Sequence, residues 1–289
     1  MSYAKLQDII QVSETEKIPF WEVIRKEDER ERHVSAEESF EKMRQMLKAM
    51  IQADENYDAS LRSASGLAGG DGARLEAFRE NSNRLIGDFL TQVMEKAVKM
   101  AESNACMQRI VAAPTAGSCG VIPAVLLTYR EQREVTEDSL VEALFVAAGI
   151  GEVIATSASI SGAEGGCQAE IGSASAMVAG AVTYLEGGDS EQIVHAAALA
   201  LKNMLGLTCD PVAGLVEVPC IKRNVSGAVN AVVSSQMVLA GIRSAIEPDE
   251  VIDSMRRIGR QIPPCLRETS REGLAVTPTA RKIVEKLES

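Results

Sequence analysis

SLVEALFVAAGIGEVIATSASISGAEGGCQAEIGSASAMVAGAVTYLEGG, residues 139–188, is the stretch that decides the fold. It is built from Ala, Gly, Ser and Val and is nearly free of charge. The same composition runs on to residue 237, with only twelve charged side chains in 139–237. Small residues with almost no aromatics favour helices whose backbones approach closely, and they disfavour a sheet. Thr136 followed by Glu137 and Asp138 has the form of an N-cap with acids in the first turn. Gly187–Gly188 and Gly206 supply stops. Helices are therefore expected over 137–157, 168–186, 190–205, 226–246 and 249–261, forming a buried layer. No βαβ alternation, repeat or low-complexity linker interrupts the pattern.

Toward the N-terminus the chain is charged and also reads as helical. Ser35 and Glu38 make a capping-box pair ahead of Phe40, Met43, Met46, Leu47 and Met50, which share one helix face. The segment 66–72 has the composition of a mobile glycine loop. One long amphipathic helix is expected after it, with Leu75, Phe78, Leu85, Phe89, Val93, Met94 and Val98 on its buried face. The fold class predicted is all-α, a single helical domain over 1–289. It comprises a charged helical part (1–104), a core carrying the chemistry (105–276) and a C-terminal tail (277–289).

A net charge of −11 and the lack of a dense Lys/Arg patch argue against nucleic acid as partner. The first residues contain no apolar run of signal-peptide type, and SASAMVAGAVTYL is too short for a bilayer, so a cytoplasmic protein is expected. Two histidines, His33 and His195, are too few for a His-rich metal site or a Ser–His–Asp triad. His195 lies among apolar residues at helical spacing and His33 follows a charge run, so neither is a candidate base.

Six cysteines stand at 106, 119, 167, 209, 220 and 265, with no CxxC pair. Three have an unusual setting: Cys167 in SGAEGGCQAEIGSASAM, and Cys209 and Cys220 in GLTCDPVAGLVEVPCIKRN. Glycines permit close backbone approach, and the cations Lys222 and Arg223 beside Cys220 are expected to lower thiol pKa. These are features of thiolates bound to iron, and three ligands would leave one iron of a cluster open as a Lewis acid. Inert buried cysteines and a three-cysteine zinc site remain as readings of the same residues. A second phrase, APTAGSCGVIPAVL (113–126), joins a prolyl turn to a helix start. Thr115, Ser118 and the helix N–H groups are candidates to receive a carboxylate, or else simply a capped turn. Cys119, with no histidine near it, is assigned to packing. The base must come from Glu164, Glu170 or Lys222, or from a partner chain.

Together with ETSREGLA (268–275), these phrases resemble the iron–sulfur-dependent L-serine dehydratases, over roughly residues 20–276. The resemblance implies an all-helical catalytic α-chain and a [4Fe–4S] cluster on Cys167, Cys209 and Cys220. It implies deamination of L-serine to pyruvate and ammonia without pyridoxal phosphate. Thr115, Ser118, Lys222 and Arg223 are then the candidate substrate-binding residues. Single-chain relatives carry a β-type domain with a PSSSHT-like motif and a cysteine at the extreme C-terminus. This sequence has neither, so a separate β-chain and a hetero-oligomer are expected. Desulfidation of L-cysteine is the nearest competing chemistry, and a helical scaffold with a structural metal is the competing class.

Overall fold

The computed structural model describes residues 3–80 and 85–288. Thirteen α-helices and no strand occur among them, and the one β-type contact is an isolated parallel bridge between Cys209 and Arg267. The all-α expectation holds.

The charged part folds as α1 (Leu6–Glu16), α2 (Phe20–Arg32), α3 (Ala36–Glu55), α4 (Asp71–Arg79) and α5 (Asp88–Ala105). The capping box forms as read: Glu38 N donates to Ser35 Oγ at 3.2 Å and Ser35 N donates to Glu38 Oε2 at 2.8 Å. Trp21, Phe40 and Phe145 pack edge-to-face or tilted at centroid separations of 6.1–6.4 Å and fix this part to the core.

The single long helix expected through Leu75 and Val98 is not formed. Gly87 is extended at the N-cap of α5 (φ −62°, ψ 170°) and separates it from α4; residues 81–84 of that expectation lie outside the described residues. The break takes Leu85 and Phe78 off the core face, leaving them 106% and 50% exposed. A common apolar stripe cannot survive an interruption of the 3.6-residue period.

The glycine loop 66–72 is firmly tied rather than slack. The Glu102 carboxylate, buried under it, accepts from the backbone N–H groups of Gly69, Asp71 and Gly72 (3.2, 2.9 and 3.1 Å) and from Tyr57 Oη at 2.6 Å. Glu217 Oε2 accepts from Ser63 Oγ and Ser65 Oγ at 3.1 and 2.5 Å. Glu102→Ala would strand these donors, so a loss of about 3 kcal/mol of unfolding free energy is expected, the upper end for orphaned buried groups. Urea denaturation of the variant checks it, and a loss within ~0.5 kcal/mol, the surface-substitution range, would contradict the tie.

The core holds α6 (Val121–Gln132), α7 (Glu137–Ser157), α8 (Gly162–Gly165), α9 (Ser173–Leu185), α10 (Ser190–Lys202) and α11 (Cys220–Leu239). Thr136 Oγ1 caps α7 by accepting from Ser139 N at 3.1 Å, and α7 spans the expected 137–157. By length and composition α7 could cross a membrane, but here most of it is buried inside the fold. Helix α9 sits at the centre, packed by α6, α7, α10 and α11. Its small residues make this approach possible: a Cβ at Gly180 would lie 2.3 Å from Ile150 Cδ1.

Three helix spans differ from expectation, and the first, α10, ends at Lys202 and not at 205. Helix α11 begins at Cys220, not 226, because Pro219 occupies the N-cap, where its missing N–H costs nothing; Gly241 (φ +91°) follows its end at Leu239. The expected 168–186 helix opens as a π-turn (Gln168–Gly172) before α9. Helix α12 (Pro248–Gln261) matches its expected span within a residue, and the expected tail is helix α13 (Pro278–Glu288).

Candidate functional site

Three separate elements bring Cys167, Cys209 and Cys220 to one buried place. Cys167 follows Gly166 (φ +75°) between α8 and the π-turn. Its neighbour Gln168 donates from Nε2 to Met255 O (3.0 Å) and accepts from Gly206 N (2.9 Å), which fastens this turn to the segment entering Cys209. Cys209 is gripped on both sides: its N–H donates to Leu266 O at 2.9 Å, and its carbonyl accepts from Glu268 N at 2.7 Å. Cys220 opens α11 directly after the cis Val218–Pro219 bond. The three are only 2%, 3% and 8% exposed.

Their thiols are close enough that each thiolate would repel another. Burial pushes the Cys209 thiol far up, and negative charge at Cys167, Glu170 and Cys220 adds to it. Burial raises Cys167 to about 11, against which the Arg223 charge works. Burial raises Cys220 to about 12, with Cys167 and Glu170 adding and Arg223 opposing. Arg223 does lower the Cys167 and Cys220 thiols, as expected of a neighbouring cation, but desolvation outweighs it and all three thiols stand raised. Lys222 points elsewhere, its Nζ paired with Asp71 Oδ2 at 2.6 Å on a 60% exposed side chain. Among the described residues no group of three or more His, Cys, Asp or Glu side chains is drawn tightly enough for a single metal ion.

Of the candidate bases, Glu170 stands at these cysteines. Thr115 Oγ1 donates to its Oε1 at 2.8 Å. A Cβ at Gly162 would come within 2.8 Å of Glu170 Oε2 and 3.2 Å of Cys209 Sγ, and one at Gly117 within 3.0 Å of Glu170 Oε1. Glycine at both positions leaves the carboxylate and the sulfur room. Burial raises the Glu170 pKa, Thr115 opposes this and Glu268 adds to it. Glu164 is exposed and accepts from Ser159 Oγ at 2.7 Å.

The Thr115–Ser118 turn reaches this place through Asn224, which the sequence reading missed. Asn224 Nδ2 donates to Gly117 O (2.8 Å) and Cys220 O (3.0 Å), while Oδ1 accepts from Gly120 N at 2.8 Å. One 1% exposed amide therefore joins the turn to the helix of Cys220 and takes one of the N–H groups considered for a carboxylate. Thr115 faces Glu170, whereas Ser118 is fully buried with its Oγ 3.2 Å from Thr115 Oγ1, the geometry of a turn cap. Cys119 packs away from the three, its Sγ 3.8 Å from Met100 O and its thiol pushed up to about 12 by burial.

His195 is buried with Nε2 2.9 Å from Arg243 Nη2, and burial lowers its pKa. His33 is an exposed residue closing α2 in the left-handed region (φ 55°). Asp210, not singled out from the sequence, accepts at Oδ1 from Arg223 Nη2 at 3.0 Å. The signal was present in the order Cys-Asp-Pro, an acid beside a proposed ligand.

Comparison with known proteins gives the family. The family described as "Serine dehydratase alpha chain" matches residues 15–275. A protein of Bacillus subtilis (strain 168), "Probable L-serine dehydratase, alpha chain", is 44% identical over 285 residues, which is 99% of this chain and 95% of that one. "L-serine dehydratase, alpha chain" of Peptoniphilus asaccharolyticus is 39% identical over 278 residues, 96% of this chain and 95% of that one. A longer "L-serine dehydratase" of Helicobacter pylori is 42% identical over 181 residues, 62% of this chain but only 40% of that protein. Matched along almost its whole length by such relatives, the chain belongs to the serine dehydratase alpha chain family.

Proposed function

We propose that this chain is the catalytic α-chain of a cytoplasmic L-serine dehydratase, an ammonia-lyase forming pyruvate and ammonia. In this reading Cys167, Cys209 and Cys220 hold a [4Fe–4S] cluster and a β-chain completes the enzyme. The observation that carries the reading is the convergence of three buried thiols from distant elements beside the Glu170 carboxylate and the Arg223 guanidinium.

The donor set fits the group. Thiolate is the soft ligand that iron–sulfur clusters take, and a cluster asks each thiolate to reach a different iron instead of sharing one ion. The glycine wall at 117 and 162 leaves space against Cys209 and Glu170. When bound, such a cluster with three protein ligands supplies an iron with an open position that acts as a Lewis acid on the substrate hydroxyl.

The chain's own residues have distinct tasks. Glu170, oriented by Thr115, takes the Cα proton of L-serine. Its partly desolvated carboxylate is a stronger base than one in water, as its raised pKa requires. Loss of water leaves an aminoacrylate, which tautomerises to an imine and hydrolyses to pyruvate and ammonia. No step calls for a Schiff-base lysine, so pyridoxal phosphate is not required.

The test is anaerobic reconstitution with ferrous iron and sulfide, iron and sulfide analysis, and assays with the β-chain present and absent. Expected are bound iron and sulfide, visible absorbance, pyruvate from L-serine and little sulfide from L-cysteine. The α-chain by itself is expected to turn over far more slowly than the complex. Activity should decay in air and return with ferrous iron and a reductant, because an iron without a protein ligand is the first to be lost. Lasting activity in air after iron chelation would overturn the reading, and turnover of neither amino acid by the loaded complex would favour a scaffold.

A further inference from the structure

Arg223 lies three residues after Cys220, on the first turn of α11. Its Nη1 donates to Thr208 O at 2.8 Å and its Nη2 to Asp210 Oδ1 at 3.0 Å. These acceptors flank Cys209 directly, so one planar guanidinium grips the Cys209 loop from both sides. It is also the cation whose charge reaches the Cys167 and Cys220 thiols. One side chain therefore touches the surroundings of all three cysteines.

Asp210 extends this grip. While Oδ1 holds Arg223, Oδ2 accepts from Leu274 N at 2.9 Å. Gly273 has φ +71°, a left-handed conformation that glycine adopts without strain, and a Cβ there would sit 2.6 Å from Asp210 Oδ2. Ser270 Oγ donates to Pro211 O at 2.6 Å. The Arg223 and Asp210 side chains are 16% and 7% exposed, so neither charge has much water to fall back on.

We propose that Arg223 and Asp210 are positioning residues for the cluster cysteines, with Arg223 committed to the Cys209 loop and the sulfurs and not to the substrate carboxylate. This rests on the cluster reading above. The physical reason is charge. Three thiolates gathered in one buried pocket need a fixed cation, and a planar fork held by two acceptors stays in place where a flexible ammonium would not. Asp210 fixes that fork and couples it to residues 273–274, far along the chain. Arg223 was considered for substrate binding on sequence grounds; its donors to Thr208 and Asp210 favour the other role.

The test compares wild type with Arg223→Lys, Asp210→Asn and Gly273→Ala, all reconstituted anaerobically. Circular dichroism of the apo chains first establishes that their helix content is retained. Iron transfer to a chelator is then followed, together with the electron paramagnetic resonance of the reduced cluster and KM for L-serine in the complex with the β-chain. Loss of such outer support should speed iron release about 10- to 100-fold. Gly273→Ala, which touches no sulfur, should do the same by displacing Asp210. The resonance should shift while KM stays as in wild type. Wild-type release rates and spectra in the variants, with a raised KM for Arg223→Lys, would overturn the proposal and return Arg223 to substrate binding. If the wild-type chain itself takes up no iron, the cluster reading fails first and the inference falls with it.

Discussion

Cys167→Ala, Cys209→Ala and Cys220→Ala chains are each expected to leave anaerobic reconstitution without a cluster and without L-serine turnover. Each thiol comes from a different element and is held by contacts that its neighbours cannot reproduce. Cys167 depends on the Gln168 bonds to Met255 O and Gly206 N, and Cys209 on Leu266 O and Glu268 N. Cys220 depends on the helix start after Pro219. Cys119 is no spare ligand: it is fully buried against Met100, away from the three. Cys119→Ala, Cys106→Ser and Cys265→Ser should therefore retain iron and activity. The measurement is iron and sulfide per chain with the visible spectrum. Retention of iron by one of the first three variants, with its loss in one of the second three, would refute the ligand assignment.

The second large effect is expected at Glu170. Glu170→Gln keeps the shape of the side chain and an acceptor for Thr115, but removes the basic oxygen. A general base is worth about 10²–10⁴ in rate, so kcat should fall by that order with the cluster spectrum unchanged. Exchange of the Cα proton of L-serine with solvent should fall in parallel. Glu164→Gln, whose carboxylate is exposed and bonded to Ser159, should change kcat little. If Glu170→Gln turns over at the wild-type rate, Glu170 is not the base, and Glu164, Lys222 and the partner chain are the candidates that remain.

Much of the fold could be read from short-range pattern. Thr136 with its acidic followers places α7, and Ser35 with Glu38 places α3, because a cap and its partners lie within one turn. The Ala/Gly/Ser run gave the buried layer because its meaning is volume, which composition carries directly. What escaped was long-range pairing. Nothing local says that Glu102 would fill the N–H groups of the glycine loop, or that Asn224 would join residues 117 and 120 to Cys220. The same holds for the charges beside the cysteines. Lys222 and Arg223 look alike in sequence, yet one pairs with Asp71 at the surface and the other faces the thiols. The break at Gly87 was hidden because apolar residues on both sides of it keep an approximately helical spacing.

The grip of residues 266–274 on Cys209 has a consequence for biosynthesis. The ribosome makes Cys167, Cys209 and Cys220 well before it makes Leu266, Glu268 and Leu274, whose backbones hold Cys209 and Asp210 in place. A nascent chain that has already exposed all three thiols still lacks the segment that aligns one of them. If the three cysteines hold the proposed cluster, delivery of iron and sulfide would wait until translation has passed this segment, and prematurely terminated products would emerge with thiols but without the segment that aligns Cys209. On that proposal, the order of residues along the chain would act as a timer that separates synthesis from maturation.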